Sequence, residues 1–100
     1  MRLLPMLIGA IAAMLLAAPA HADPAGDDAN FLHSLDRLGI TYQSPDSVIA
    51  SGRAVCQLLD DGKSQKDIVQ QLRQANPGFT LNSAKNFTVA AATAYCPQYL

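Results

Sequence analysis

Two hydrophobic patterns divide this 100-residue chain. Leu3 to Ala18 is a nearly unbroken apolar run, interrupted only by Pro5 and Gly9. From Asp28 onward, apolar residues recur three and four apart with polar residues between them, the period of helices with one buried face. Phe31, Leu32, Leu35 and Leu38 form the first such stripe and predict a helix from about Asp28 to Leu38. Asp27 and Asp28 stand where a cap and the positive helix end favour acids, and Gly39 supplies a left-handed stop. Ile40 to Gln43 reads as an extended link whose Ile40 and Tyr42 share one side and cover the core. Ser44-Pro45-Asp46 opens a second helix with a capping hydroxyl, a proline at the first position and a dipole-compatible acid. Val48, Ile49, Gly52, Val55, Cys56 and Leu59 carry its stripe, and Gly62 ends it. Gly52 costs this helix about 1 kcal/mol relative to Ala, so close approach by another helix is the expected compensation.

Ser64-Gln65-Lys66-Asp67 resembles a capping box with Asp in place of Glu. It opens a third helix with Ile68, Val69, Leu72 and Ala75 inward and Lys66, Gln70, Gln71, Arg73 and Gln74 in solvent. Asn76-Pro77-Gly78 stops it, and Phe79 is expected to pack back onto the core. A last helix starts between Thr80 and Ser83. It bears Ala84, Phe87, Thr88, Ala91 and Tyr95, with Val89, Ala92 and Cys96 on the adjoining stripe, and Pro97 terminates it. The pattern predicts an all-α fold, a small bundle of four short helices.

The first apolar run belongs to a different part of the protein's life. Arg2 gives it a positive start, Pro19 breaks it, and Ala20-His21-Ala22 is a small-x-small cleavage site. The run falls short of the roughly 20 residues that span a bilayer. Residues 1–22 are therefore read as a signal peptide cleaved before Asp23, leaving a helical domain at 23–100. No Cys follows the run to accept a lipid and no twin arginine precedes it, so the general secretory route is expected. The destination is extracellular or the cell envelope, with no stable membrane anchor after cleavage.

Cleavage changes the composition. Much of the 50% hydrophobic content leaves with the leader, and six Lys and Arg then stand against eight Asp, with no Glu. A mildly acidic chain without a basic stripe argues against nucleic acid and against an anionic membrane surface. Cys56 and Cys96 are the only cysteines. In an exported domain this small they are expected to form a disulfide staple, joining the second helix to the fourth. A free thiol pair and a metal site are the alternatives; two Cys with one remaining His, His33, make a poor zinc set.

The mature chain has few groups that catalysis recruits. His33 lies between stripe positions and is expected on the surface. Asp60 and Asp61 are adjacent acids at a helix C-terminus, screened by Lys63 and Lys66, without the cleft that paired-acid chemistry needs. No phosphate loop, GxSxG or HExxH is present. Asn86-Phe87-Thr88 matches a glycosylation sequon but falls on a helix with its Phe inward. No catalytic residue, cofactor or metal is assigned. The expected function is a non-enzymatic interaction module with a protein or envelope partner. A small-ligand or lipid carrier, with Tyr42, Phe79, Phe87 and Tyr95 as candidate contacts, is the alternative; an enzyme is the least favoured.

Several segments taken together resemble a known family: Phe31-Leu32-x-x-Leu35-x-x-x-Gly39-Ile40-x-Tyr42, Gly52-x-x-Val55-Cys56-x-x-Leu59, Gly62-x-Ser64, Asn76-Pro77-x-Phe79-Thr80, and finally Ala84, Phe87 and Ala94-Tyr95-Cys96-Pro97. They are similar to the DUF732 family of small exported actinobacterial, mainly mycobacterial, proteins, and the likeness covers nearly all of the mature chain. The resemblance implies an exported helical domain with a disulfide. It carries over no catalytic residue, because the shared positions are helix stops, core residues and the cysteine pair. The intact mass of protein isolated from its host should begin at Asp23 and be two hydrogens below the reduced value. A mass that includes Met1 would overturn the export argument.

Overall fold

A computed structural model describes residues 26–100. The expected leader and its cleavage residues Ala20, Ala22 and Asp23 lie outside the described residues. Four helices follow in order: α1 (Asp27–Arg37), α2 (Pro45–Asp60), α3 (Gln65–Ala75) and α4 (Leu81–Tyr95). A single 3-10 turn, Pro97–Tyr99, closes the chain. There is no strand among the described residues, and the fold is the all-α bundle the periodicity predicts.

The helix ends follow the local chemistry. Ser44, Ser64 and Thr80 each cap a helix by accepting from the backbone N–H three residues on, at 3.2, 3.1 and 3.0 Å. Gly39 and Gly62 take φ of +73° and +89°, a backbone region other residues rarely enter. Each lets the next N–H reach back five residues, Ile40 to the Leu35 carbonyl and Lys63 to that of Leu58, both at 3.0 Å. α1 differs from expectation at its start. Gly26 is its cap residue and no side chain caps it, so Asp27 complements the dipole in the first turn instead.

α4 is the helix on which the others assemble, packing against α1, α2 and α3. Its Ala84, Ala90, Ala91 and Ala92 are buried, and these small side chains let neighbours come close. Phe31 and Leu35 of α1, Val55 of α2 and Ile68 of α3 fill the space around it. Thr88 is the one buried polar side chain among the described residues, and its hydroxyl donates to the Ala84 carbonyl at 2.9 Å. Four aromatic rings stack in series through this core. Phe79 meets Phe87 at 6.1 Å between centroids, Phe87 meets Phe31 at 5.5 Å, and Phe31 meets Tyr95 at 5.3 Å. These are edge-to-face or tilted geometries, the arrangements aromatic pairs favour.

Cys56 and Cys96 are bonded, with Cα atoms 5.9 Å apart, tying α2 to the end of α4 across 40 residues. In the chain-entropy model that closure is worth roughly 4 kcal/mol. Three residues placed on core stripes by periodicity are exposed instead: Leu38, Ala75 and Val89. Leu38 and Ala75 stand at helix ends, beyond the last turn that packs. Val89 lies on the edge of α4 that no helix covers.

Gly52 explains itself in this packing. A β-carbon there would come within 2.7 Å of two Phe31 ring atoms and 3.2 Å of Tyr95. Phe31 is fully buried and its ring has nowhere to go. Gly52→Ala should therefore destabilise the protein by about 1–2 kcal/mol, the overpacking cost exceeding the gain in helix propensity. Ser51→Ala, on the solvent side of the same turn, should be neutral or slightly stabilising. Urea unfolding of both variants checks this, and a Gly52→Ala protein more stable than wild type would refute the close approach.

Candidate groove and the comparisons with known proteins

The link between α1 and α2 crosses the bundle beside the α3–α4 turn, and a surface groove of about 390 Å³ opens between them. Val48, Leu72 and Phe87 form its floor; Tyr42 and Phe79 stand half-buried at its walls. Thr41, Gln43, Ser47 and Ser51 add hydroxyl and amide groups at the rim. Among the described residues, no Asp, Glu, His, Lys, Arg or Cys lines it. Ser51 already donates to the Ser47 carbonyl at 3.2 Å, and Ser44 and Asn76, which also border the groove, are engaged as well, Ser44 as the α2 cap and Asn76 in donating to the Leu72 carbonyl at 3.0 Å. Such a surface can offer hydrogen bonds and aromatic contact to a neutral partner. Among the described residues, its lining sets no imidazole, carboxylate or amine beside these hydroxyls.

Three of the four aromatic candidates from the sequence thus converge on one groove: Tyr42, Phe79 and Phe87. Tyr95 does not. Its hydroxyl donates to Asp28 Oδ1 at 2.6 Å, and Arg53 donates to the same oxygen at 2.9 Å. The Arg53 guanidinium also lies 4.8 Å over the Tyr95 ring. One carboxylate oxygen therefore joins α1, α2 and α4. Burial and the neighbouring Asp28 carboxylate both push the Tyr95 phenol up from its ordinary value of 10.0. The Arg53 side of the ion pair is more than half exposed, so solvent screens it and the pair is worth about 1 kcal/mol.

His33 is exposed on α1. Asp60 accepts a hydrogen bond from the Tyr99 hydroxyl, which raises the Tyr99 pKa, and Asp61 is exposed. Among the described residues no three His, Cys, Asp or Glu gather where they could hold a metal ion. Nor is any described helix long and apolar enough to cross a membrane.

These features define a small disulfide-stapled helical domain with an uncharged surface groove. The chain belongs to the DUF732 family, described as "Protein of unknown function", whose model matches residues 26–98. It is 40% identical over 79 residues to an uncharacterized Mycobacterium tuberculosis (strain CDC 1551) protein, MT1330, covering 79% of this chain and 70% of that one. It is 35% identical over 97 residues to a protein of M. tuberculosis H37Rv named "Putative lipoprotein LprJ", covering 95% of this chain and 74% of that one. A third relative, the uncharacterized Rv1271c of the same strain, is 34% identical over 94 residues, 92% of this chain and 81% of its own. No solved structure matches the chain.

The Tyr95 cluster has a pH signature. The folded state holds the phenol proton more tightly than the unfolded chain, so this stabilisation is complete below pH 10. It is lost progressively above that, as the unfolded phenol ionises. Tyr95→Phe should cost about 1 kcal/mol at neutral pH by removing the bond to Asp28. It should also flatten the decline in stability above pH 10, measured as thermal midpoints across an alkaline series. An unchanged alkaline slope would show that folding does not tighten the hold on the Tyr95 proton.

Proposed function

We propose that this protein is a non-enzymatic interaction module acting outside the cytoplasmic membrane, in the envelope or the surrounding medium. The observation that carries the reading is the lining of the groove: aromatic walls, the hydroxyls of Thr41 and Ser47, the Gln43 amide and, among the described residues, no charged side chain. That chemistry suits an uncharged stretch of a protein or envelope partner. The name of one relative, "Putative lipoprotein LprJ", supports an envelope setting, as does the apolar leader.

A small-ligand or lipid carrier is the second reading, favoured by the groove's size, which falls within the ~300–1,000 Å³ of small-molecule sites. The aromatic series fills the middle of the bundle, so cargo would sit in a surface depression, and the groove is the one with aromatic walls. One experiment separates the two readings. A photoreactive side chain at Gln43, introduced in the protein's own host, should give a covalent adduct with one defined protein. Ser51→Arg, which fills the groove from an exposed helix position, should abolish that adduct. An adduct insensitive to Ser51→Arg would overturn the groove as the docking site. A small molecule retained in native mass spectrometry and lost on denaturation would move the conclusion to a carrier. Turnover by the purified protein that Ser51→Arg removes would make it an enzyme.

A further inference from the structure

The outer side of α4 is chemically unlike the groove. A second depression, about 580 Å³, runs between α3 and α4, with Val69, Leu81 and Val89 along it and Lys66, Arg73 and Lys85 around it. Across Val89 it continues into a smaller one bordered by Leu38 and Arg37. Leu38, Leu81 and Val89 are 43%, 47% and 45% exposed, three of the large hydrophobic side chains that project into solvent. Among the described residues, no acidic side chain lines either depression. Arg37, Lys66, Arg73 and Lys85 are exposed, and the one ion pair among the described residues, Arg53–Asp28, involves none of them. Four of the six cations that follow the leader thus gather, unneutralised, around three exposed apolar side chains. This happens in a chain whose net charge is negative.

We infer that this face docks reversibly on an anionic phospholipid surface, with Leu38, Leu81 and Val89 entering the headgroup boundary and the four cations meeting lipid phosphates. The pattern is that of interfacial surfaces, with apolar side chains in the middle and Lys or Arg around them. Long basic side chains lay their stems on apolar surface while their charges reach the phosphates. A second copy of the chain fits poorly, because a two-fold contact would set cations against cations. A protein partner fits less well than lipid, since the face has no aromatic residue and two of its four cations are Lys, which protein interfaces disfavour. Net charge points away from an anionic membrane, but attraction at a surface decays within a Debye length, so local charge decides. The inference deepens the envelope reading and rests on it for location alone.

The test uses the purified protein and sedimentation with vesicles of phosphatidylglycerol and phosphatidylcholine in equal parts, against pure phosphatidylcholine. Binding should appear on the anionic vesicles only and fall with added salt. Lys85→Glu, a change of two charges on the face, should weaken it about 25-fold, at about fivefold per charge. Leu81→Asp, at an exposed first-turn position that tolerates an acid, should weaken it more than tenfold. Lys63→Glu makes the same change in net charge away from the face and should have little effect. Thermal unfolding of each variant confirms that it folds. Equal loss from Lys63→Glu and Lys85→Glu would overturn the proposal, as would no binding at low salt. A dimer in sedimentation that Leu81→Asp dissociates would assign the face to a second copy. None of these outcomes touches the Gln43 adduct or its loss in Ser51→Arg, so the two proposals fail separately.

Discussion

Three helices meet over the missing side chain of Gly52, and most of the architecture depends on that contact. The Phe31 ring of α1 lies against the Gly52 backbone, and Tyr95 of α4 closes over the same spot. One turn further along α2, Cys56 is bonded to Cys96, the neighbour of Tyr95. α2 and the end of α4 are therefore joined twice within a single turn, once by close packing and once covalently. The two locks act on different states of the chain. Packing stabilises the native state, whereas the disulfide chiefly limits the unfolded one, by roughly 4 kcal/mol. Small domains have about 5–15 kcal/mol in total, so neither contribution is minor. From this junction the aromatic series carries contact through Phe87 to Phe79, and so to the α3–α4 turn.

Much of this was legible in the sequence because it is written in local rules. Ser44, Ser64 and Thr80 announce helix starts by their own hydrogen bonds, and Gly39 and Gly62 announce stops through a backbone conformation other residues avoid. Stripes such as Val48-Ile49-Gly52-Val55-Cys56-Leu59 register burial directly. What the sequence concealed is of two kinds. The Asp28–Tyr95–Arg53 cluster joins residues 25 and 67 positions apart, and polar side chains carry no period that would pair them. The exposure of Leu38 and Val89 depends on which flank of each helix has a neighbour, a tertiary fact that periodicity does not contain. The groove is hidden for the same reason. Thr41, Gln43 and Ser51 look like ordinary solvated positions until the α1–α2 link is laid beside the α3–α4 turn.

Charge shows the same lesson in another form. Counting residues gives a mildly acidic chain, and from that count a lipid surface looks unfavourable. The count is an average over a molecule whose radius exceeds a Debye length of about 8–10 Å at ordinary ionic strength. Asp28 is engaged by Arg53 and Tyr95, and Asp60 by Tyr99, all away from the outer side of α4. Where α3 and α4 diverge, the charged side chains among the described residues are all cations. The folded chain thus segregates what the sequence interleaves.

The two candidate surfaces are not independent pieces of structure. Phe87, on the groove floor, and Lys85 and Val89, on the cationic face, lie within five residues of one helix. α3 divides its sides likewise, with Leu72 toward the groove and Val69 and Arg73 toward the cationic face. Any motion of α4 relative to α2 would disturb both surfaces together. The Cys56–Cys96 bond and the Gly52 contact oppose that motion at the far end of α4, while the Thr80 cap and Phe79 hold the near end. The staple therefore does more than offset the small size of the core. It fixes the register between an uncharged groove and a cationic face, so that a partner held by one would be presented at a set orientation to whatever the other rests upon.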